Sequence, residues 1–480
     1  MHELADRALN AAQLAGATYA DARLVESRSQ LVEVKNRRPS ALQEGAGLGL
    51  GVRVIVDGAW GFAASAAADA VEADRCAALA CRIARASARF RLQPVVLSPL
   101  APQRASWQTP VARDPFEVSL ADKIELLVRA TGAMQAEPAV KVAQGALHFW
   151  EERKLFASSE GARIEQRIVH SGAGLCAYAR GDDDLQWRSY PNSFGGQYEA
   201  AGWELVERLD LPGHAAETAA TAAALLTAPQ CAPGVTTVIL DGAQMSLQIH
   251  ESCGHPTELD RVLGHEANFA GTSFLTTDQL DTLRYGSAVV NLVADATAPR
   301  GLGTFAFDDE GVPAQKVDLV REGRFVGYLT SRETAPLLGQ ASNGTMRAES
   351  WAHIPLIRMT NINLEPGPWT LEALIGDTDD GILMATNRSW SIDDRRYNFQ
   401  FGTEVGWEIR KGKRGRMLKN CTYTGITPQF WNQCDAVCDD WEIWGTPNCG
   451  KGQPSQSMRT AQGAASARFR GIQVGVGYGS

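Results

Sequence analysis

The sequence predicts an α+β protein of two domains, an N-terminal α/β domain over residues 1–230 and a β-rich C-terminal domain over residues 231–480. Three features point that way. A chain of 480 residues exceeds what one hydrophobic core usually serves. Its first half alternates strand patterning with alanine-rich, helix-forming stretches. At Thr227-Ala228-Pro229-Gln230-Cys231-Ala232-Pro233-Gly234 two prolines and a glycine break the pattern, and the composition beyond turns β-rich.

In chain order, residues 3–16 place Leu4, Ala8, Leu9, Ala12 and Leu14 at helical spacing and end on Gly16, a C-cap residue. Residues 20–26 and 30–36 alternate as two strands. A third run, 47–56, closes at the turn Asp57-Gly58, and 60–64 resumes it. Helices are expected over 66–89 and 119–136, strands over 140–156 and 162–179, and a helix over 215–226. Beyond the boundary, 235–240, 288–293, 316–321 and 324–330 read as strands, and 243–253 as the one well-formed helix early in this half. No repeat of solenoid period is present. The run Gly45, Gly47, Gly49, Gly51 is no dinucleotide fingerprint: the third glycine of G-x-G-x-x-G falls on Leu50, and no helix follows.

A net charge of −9 and a pI near 5.5 argue against nucleic-acid or anionic-membrane partners, which need a basic field. The basic run Arg410, Lys411, Lys413, Arg414, Arg416 is interrupted by glycines and reads as a solvated hairpin tip. No stretch approaches the ~18 apolar residues of a membrane helix, and the acidic N-terminus lacks the apolar core of a signal peptide. Nine dispersed cysteines suit reduced thiols, so a cytoplasmic location is expected.

The chemistry concentrates in His250-Glu251-Ser252-Cys253-Gly254-His255. Two imidazoles and a carboxylate close together on one helix are what a hydrolytic zinc requires. The imidazoles ligate the ion, and the carboxylate takes a proton from water whose pKa the metal lowers toward ~7. Glu251 is the candidate general base, and then the acid that protonates the leaving amine. The spacing is awkward, however. Histidines five apart lie about 140° from each other around a regular helix. Either the helix widens into a π-type turn, or it ends at Gly254 and His255 bends back; Gly254 and Pro256 make irregularity easy. Candidates for a third ligand are Cys253, Glu258, Asp260, His265 and Glu266 nearby, and His353 and Cys449 farther off. Spacing does not choose among them. Cys434 and Cys438 form a rival pair without a neighbouring histidine.

The motif, with Glu258 and Asp260 following, resembles the H-E-x-x-x-H signature of the TldD/PmbA family, and further blocks appear in the family's order. Ala270-Gly271-Thr272-Ser273-Phe274 resembles its small-residue block, Asp308-Asp309-Glu310-Gly311-Val312-Pro313 its acidic turn, Arg347-Ala348-Glu349-Ser350 and Arg358-Met359-Thr360-Asn361 two further blocks, and Asn448-Cys449-Gly450-Lys451-Gly452-Gln453 the segment with its third zinc ligand. Gly51-Val52-Arg53 and Gly61-Phe62-Ala63 fit as well. The resemblance is to the TldD-type, metal-binding subunit and spans nearly the whole chain. It implies a zinc cofactor held by His250, His255 and Cys449, with Glu251 as base, and hydrolysis of small or unfolded peptides that pair with sheet edges. It also implies a dimer, either with a TldE/PmbA-like subunit or with itself. Asp308, Glu310, His353 and Arg358 lie in family-like blocks and are candidates to line the substrate cleft. Pro256 departs from the family's glycine, and the tryptophan-rich stretch 422–447 looks elaborated, a candidate for shaping substrate choice. Two rivals stand beside this reading: a zinc amidohydrolase of small amides, and a non-catalytic scaffold subunit with a structural metal.

Overall fold

The structure, a computed structural model, describes residues 1–475. Its first half is built on one sheet. Helix α1 (His2–Leu14) precedes β1 (Tyr19–Lys35), β2 (Arg38–Val56) and β3 (Ala59–Ser65); then come α2 (Ala70–Ser87), β4 (Arg104–Gln108) and α3 (Leu120–Met134). The long strands β5 (Val140–Ser158) and β6 (Arg163–Arg180) follow, with β7 (Leu185–Tyr190), β8 (Gln197–Glu199), α4 (Glu204–Leu209) and α5 (Leu211–Thr227). The sheet order is β3-β2-β1-β5-β6-β4, with β7 and β8 also paired to β6. Mixed helix and strand agree with the expected α+β class.

The two strands expected over 20–26 and 30–36 are one. Strand β1 is hydrogen-bonded along its length to β2 on one edge and β5 on the other. Alternate residues of a strand share a face. On one face of β1, Ala20, Ala22 and Leu24 pack under α1 and α2, while Val32 and Val34 pack under α3 and α5. Between these two cores the same face carries Glu26 and Arg28, which line an open groove of about 500 Å³, and the buried Gln30. That polar interval broke the apolar alternation without breaking the strand.

The opposite face carries buried polar and charged groups. Asp21, Arg23, Arg53 and Gln166 are buried there. Arg53 sits 2.8 Å from Asp21 and 3.3 Å from Glu310, Lys154 is 2.7 Å from Asp309, and Arg23 donates to the carbonyl of His353 at 2.5 Å. This face is therefore the seam between the two halves, and the acidic turn at 308–310 is its counterpart on the C-terminal side.

Beyond it, β9 (Gly234–Leu240) leads into α6 (Gly242–Ile249). A small sheet, β10 (Leu292–Asp295), β11 (Lys316–Arg321), β12 (Arg324–Phe325) and, later, β15 (Ile362–Leu364), flanks a short ladder of β13 (Met346–Arg347) and β14 (Leu356–Ile357). The expected strand over 324–330 stops at Phe325. From there the chain turns to bracket the segment after α6: Leu329 N–H donates to the Thr257 carbonyl and Leu259 N–H to the Leu329 carbonyl. Likewise only Leu292 and Val293 of 288–293 are extended.

The last part is β16 (Asp380–Ile392), β17 (Asn398–Arg410), β18 (Lys413–Leu418), β19 (Cys421–Ile426), β20 (Cys434–Val437), β21 (Glu442–Lys451), β22 (Gln456–Ala464) and β23 (Ala467–Val474). The order β16-β9-β23-β19-β17 returns to β16 through a β16–β17 pairing, so the sheet closes on itself. The basic run sits at the exposed β17–β18 turn. Cys434 and Cys438 are buried in the core of this half, as are Trp431 and Phe430, so these four residues of 422–447 serve packing, whereas Gly445, Thr446 and Pro447 line a cleft. No helix of the described residues is long and apolar enough to cross a membrane.

Helix α2 crosses β3 at Gly61, where an added Cβ would lie 2.0 Å from the Ala80 carbonyl oxygen and 2.7 Å from Ala84 N. Gly61→Ala is expected to destabilise the N-terminal half by ~1–3 kcal/mol. A lowered thermal midpoint checks this; an unchanged one contradicts the close approach.

Candidate metal centre

Helix α6 begins at Asp241, whose Oδ1 accepts from Gln244 N at 2.7 Å and from Thr386 N at 3.2 Å. Such a cap contributes ~1 kcal/mol. The helix is regular only to Ile249. A π turn spans His250–Gly254 and a 3₁₀ turn His255–Thr257. The helix therefore takes the first of its two expected courses. The extra residue in the turn rotates His255 back toward His250, leaving the rings 5.0 Å apart and 86° to one another.

A widened turn frees carbonyls that must find other donors. Tyr285 Oη donates to the Ser252 carbonyl at 2.7 Å, and Thr257 Oγ1 lies 2.9 Å from the carbonyls of both Cys253 and Gly254. Gly254 has no room for a side chain: a Cβ would fall 2.1 Å from Met359 Sδ. Away from the donors, Gln244, Gln248 and Ser252 bond to Tyr423 and Trp431, which fixes the helix about its axis.

Cys449 reaches the same point from β21, at a bulge in its pairing with β22 between Thr446 and Cys449. The ligand atoms of His250, His255 and Cys449 lie within 4.8 Å of one another, all buried, and Cys449 Sγ is 3.5 Å from His255 Nε2. Each imidazole is oriented through its other nitrogen, His255 Nδ1 by Glu258 Oε2 at 2.9 Å and His250 Nδ1 by the Gln462 amide at 3.0 Å. Such contacts set which nitrogen faces a metal. Glu258 is held by Lys451, fully buried with Nζ 2.8 Å from Asp260, 3.2 Å from Glu258 and 3.7 Å from Glu266.

The electrostatics suit a cation. Burial pushes the Cys449 thiol up, but His250, His255 and Arg358 outweigh it and hold the group well below the usual thiol range. Arg358 also donates to the Cys449 carbonyl at 2.5 Å. Burial likewise raises Glu258, yet Lys451 and His255 keep it a carboxylate. Burial lowers His255, and the neighbouring Cys449 and Glu258 bring it up to about 9. Two nitrogens and a thiolate-prone sulfur are a zinc-type donor set, so the residues present fit that metal.

These donors line a cleft of about 290 Å³ together with Glu251, Arg396, Asn387, Phe194 and Trp390. Arg396 Nη1 is 2.7 Å from Glu251 Oε2. Burial raises Glu251, but Arg396 and the two imidazoles hold it below its ordinary value. Of the other residues singled out from the sequence, Glu258 supports a ligand, Asp260 and Glu266 neutralise Lys451, and Cys253 is buried beside Tyr285. Asp308, Glu310 and His353 are not among the cleft-lining residues. Asp308 accepts from the backbone of Glu310, Val312 and Met346, Glu310 faces Arg53, and His353 contacts Ser350. Arg358 lies behind Cys449 and not in the cleft. Arg396 and Gln462 carried no local sequence signal; Lys451 stood inside the Cys449 block.

A buried group of two imidazoles and a thiol at a cleft is of the kind that metal-dependent enzymes use. Family profiles for the successive parts of the PmbA/TldA metallopeptidases match residues 20–84 (domain 1), 113–226 (central domain) and 233–476 (C-terminal domain). The chain belongs to the PmbA/TldD family. A metalloprotease of Methanocaldococcus jannaschii is 29% identical over 94% of this chain and 95% of its own length, and one of Synechocystis is 28% identical over 96% and 95%. A metalloprotease TldD homolog of Haemophilus influenzae is 29% identical over 52% of this chain and 50% of its own. Among solved structures, TldE of Thermococcus kodakarensis superposes with a TM-score of 0.74 at 15% identity, covering 98% of this chain and 99% of that one, a likeness of fold.

Replacing Cys449 by Ala is expected to strip the bound metal, as elemental analysis would register; full retention would remove Cys449 from the donor set. Gln462→Ala is expected to weaken metal affinity by ~10–100-fold with the fold intact, read by competition with a chromogenic chelator.

Proposed function

We propose that the chain is a zinc-dependent peptidase acting on small or unfolded peptides, with Glu251 as its general base. The observation that carries this reading is a glutamate paired with Arg396 beside three buried donors, all lining one cleft. Structural zinc sites are closed by four protein ligands, whereas catalytic ones keep a position free. Among the described residues this cluster holds three. That favours an enzyme over a scaffold with a structural metal.

In this reading His250, His255 and Cys449 hold the ion. A zinc ion there supplies Lewis acidity, acidifying water and polarising a carbonyl. Glu251 takes the proton from the attacking water and returns it to the departing amine. Arg396 grips Oε2 of Glu251 and leaves Oε1 to do this. Lys451 and Glu258 keep the His255 ring aligned through the cycle.

The cleft also favours a peptide over a small amide. Strand β21 pairs in a ladder only with β22 among the described residues, and Gly445 to Gly450 of β21 line the cleft. The Gln197 side chain takes the Gly445 N–H and the Ile443 carbonyl, so the edge left to a substrate begins beyond Gly445. An extended chain laid along that edge makes main-chain hydrogen bonds independent of its side chains. By family analogy the working form is a dimer, with a TldE/PmbA-like subunit or a second copy, and its nine free, dispersed cysteines fit the cytoplasm.

Glu251→Gln is expected to keep the metal and lower cleavage of an unstructured peptide by ~10²–10⁴-fold. Normal turnover by this variant would dismiss Glu251 as the base. Purified wild-type protein that binds zinc yet cleaves no peptide, while hydrolysing a simple amide, would favour the amidohydrolase reading.

A further inference from the structure

Two large aromatic side chains stand exposed at the metal cleft, Phe194 at 55% and Trp390 at 48%. Both line the same cavity as His250, Glu251 and Cys449. Their rings meet edge to face, with centroids 5.4 Å apart at 89°. Phe194 comes from the β7–β8 loop of the N-terminal half, and Trp390 from β16 of the C-terminal half. Together they span the seam at the cleft.

The backbone pays to hold both in place. Phe194 has φ 56°, a conformation uncommon for non-glycine residues. The two glycines after it allow this: a Cβ on Gly195 would lie 2.2 Å from Tyr198 Oη, and one on Gly196 would lie 2.1 Å from the Ala173 carbonyl. The loop is thus pressed onto β6 with Phe194 projecting. Across the cleft, Thr386 has φ 61°, a marked outlier for a β-branched residue. Its N–H is held by Asp241, the cap of α6, and a bulge between Asn387 and Ser389 follows. The amide of Asn387 fastens the bulge to Gln244 of α6 and to the Gly402 carbonyl, each at 3.3 Å. Strained backbone that the surroundings hold in place gathers at functional sites. Here it aims two apolar rings at one cavity.

We propose that Phe194 and Trp390 form an apolar subsite that receives a hydrophobic side chain of the peptide substrate, beside the bond to be cut. The subsite makes the enzyme selective for peptides with Leu, Ile, Met or Phe at one position flanking that bond. Main-chain pairing along β21 tolerates any side chain; discrimination comes from the aromatic pair. This inference rests on the peptidase reading above and adds its substrate class.

The test begins with the metal-loaded wild-type protein and two unstructured synthetic peptides, identical except for Leu or Ser at the position flanking the cleaved bond, which mass-spectrometric mapping of a peptide mixture first locates. The expected kcat/KM ratio of Leu to Ser is at least about tenfold. Cleavage of both at rates within about twofold would overturn the subsite and leave the peptidase reading standing. Cleavage of no peptide at all would overturn both. Phe194→Ser and Trp390→Ser, singly and together, are then expected to collapse the ratio while bound zinc stays at the wild-type level. A ratio that persists in the zinc-replete double variant would overturn the assignment. If that variant also changed its mass in sedimentation, the pair would be a subunit contact instead.

Discussion

Everything at the centre of this protein follows from placing two imidazoles five residues apart on one helix and requiring them to face one point. A regular α-helix sends them apart, so the turn between them takes up an extra residue. The consequences spread outward. Gly254 loses any side chain because Met359 lies against it, and Tyr285 is drawn in to satisfy the Ser252 carbonyl. Asp241 anchors the helix at its start, and Gln244 and Gln248 anchor it to the sheet through Tyr423. The segment beyond Phe325 leaves its expected strand to bracket Thr257 and Leu259. The fold around α6 is a mould for one irregular turn.

Charge is the second theme. Burying an ion costs several kcal/mol unless it is well partnered, and this protein buries many, in two sets. At the centre, Lys451 lies among Glu258, Asp260 and Glu266 and so fixes the carboxylate that orients His255. At the seam, Arg53 and Lys154 meet Asp21, Glu310 and Asp309. The seam pairs set how the N-terminal sheet sits against the C-terminal half. That in turn decides where the β7–β8 loop overhangs the cleft. Registration of the halves by buried ion pairs thus shapes a site whose candidate metal donors all belong to one of them.

The sequence was legible where chemistry is local. The mixed α+β pattern, the helix with its two histidines and the need for a distorted turn were all readable from spacing and residue type. The residue that joins the two imidazoles was not: spacing left seven candidates, and only family resemblance singled out Cys449, whose sulfur the structure sets beside them, because the β21–β22 hairpin that delivers it is defined by register across strands. Arg396 and Gln462 were hidden for the same reason. Asp308 and Glu310 stood out as a dense acidic turn, yet their neighbours are backbone amides and Arg53, a seam that pattern alone does not reveal. The polar interval Glu26, Arg28, Gln30 split one long strand in two because it lies between two separate cores on the same face.

The three donors are also far apart in time. The imidazoles stand at 250 and 255, while the thiol lies 194 residues beyond His255. Synthesis runs from the N-terminus, so a growing chain completes its first sheet and both imidazoles long before Cys449 leaves the ribosome. Until then the imidazole pair lacks its sulfur, and the strand edge beside it does not exist. Under the proposed function, the nascent chain therefore has no complete centre with which to attack itself or its neighbours. Placing the sulfur so late delays maturation until almost the whole fold is available to enclose it.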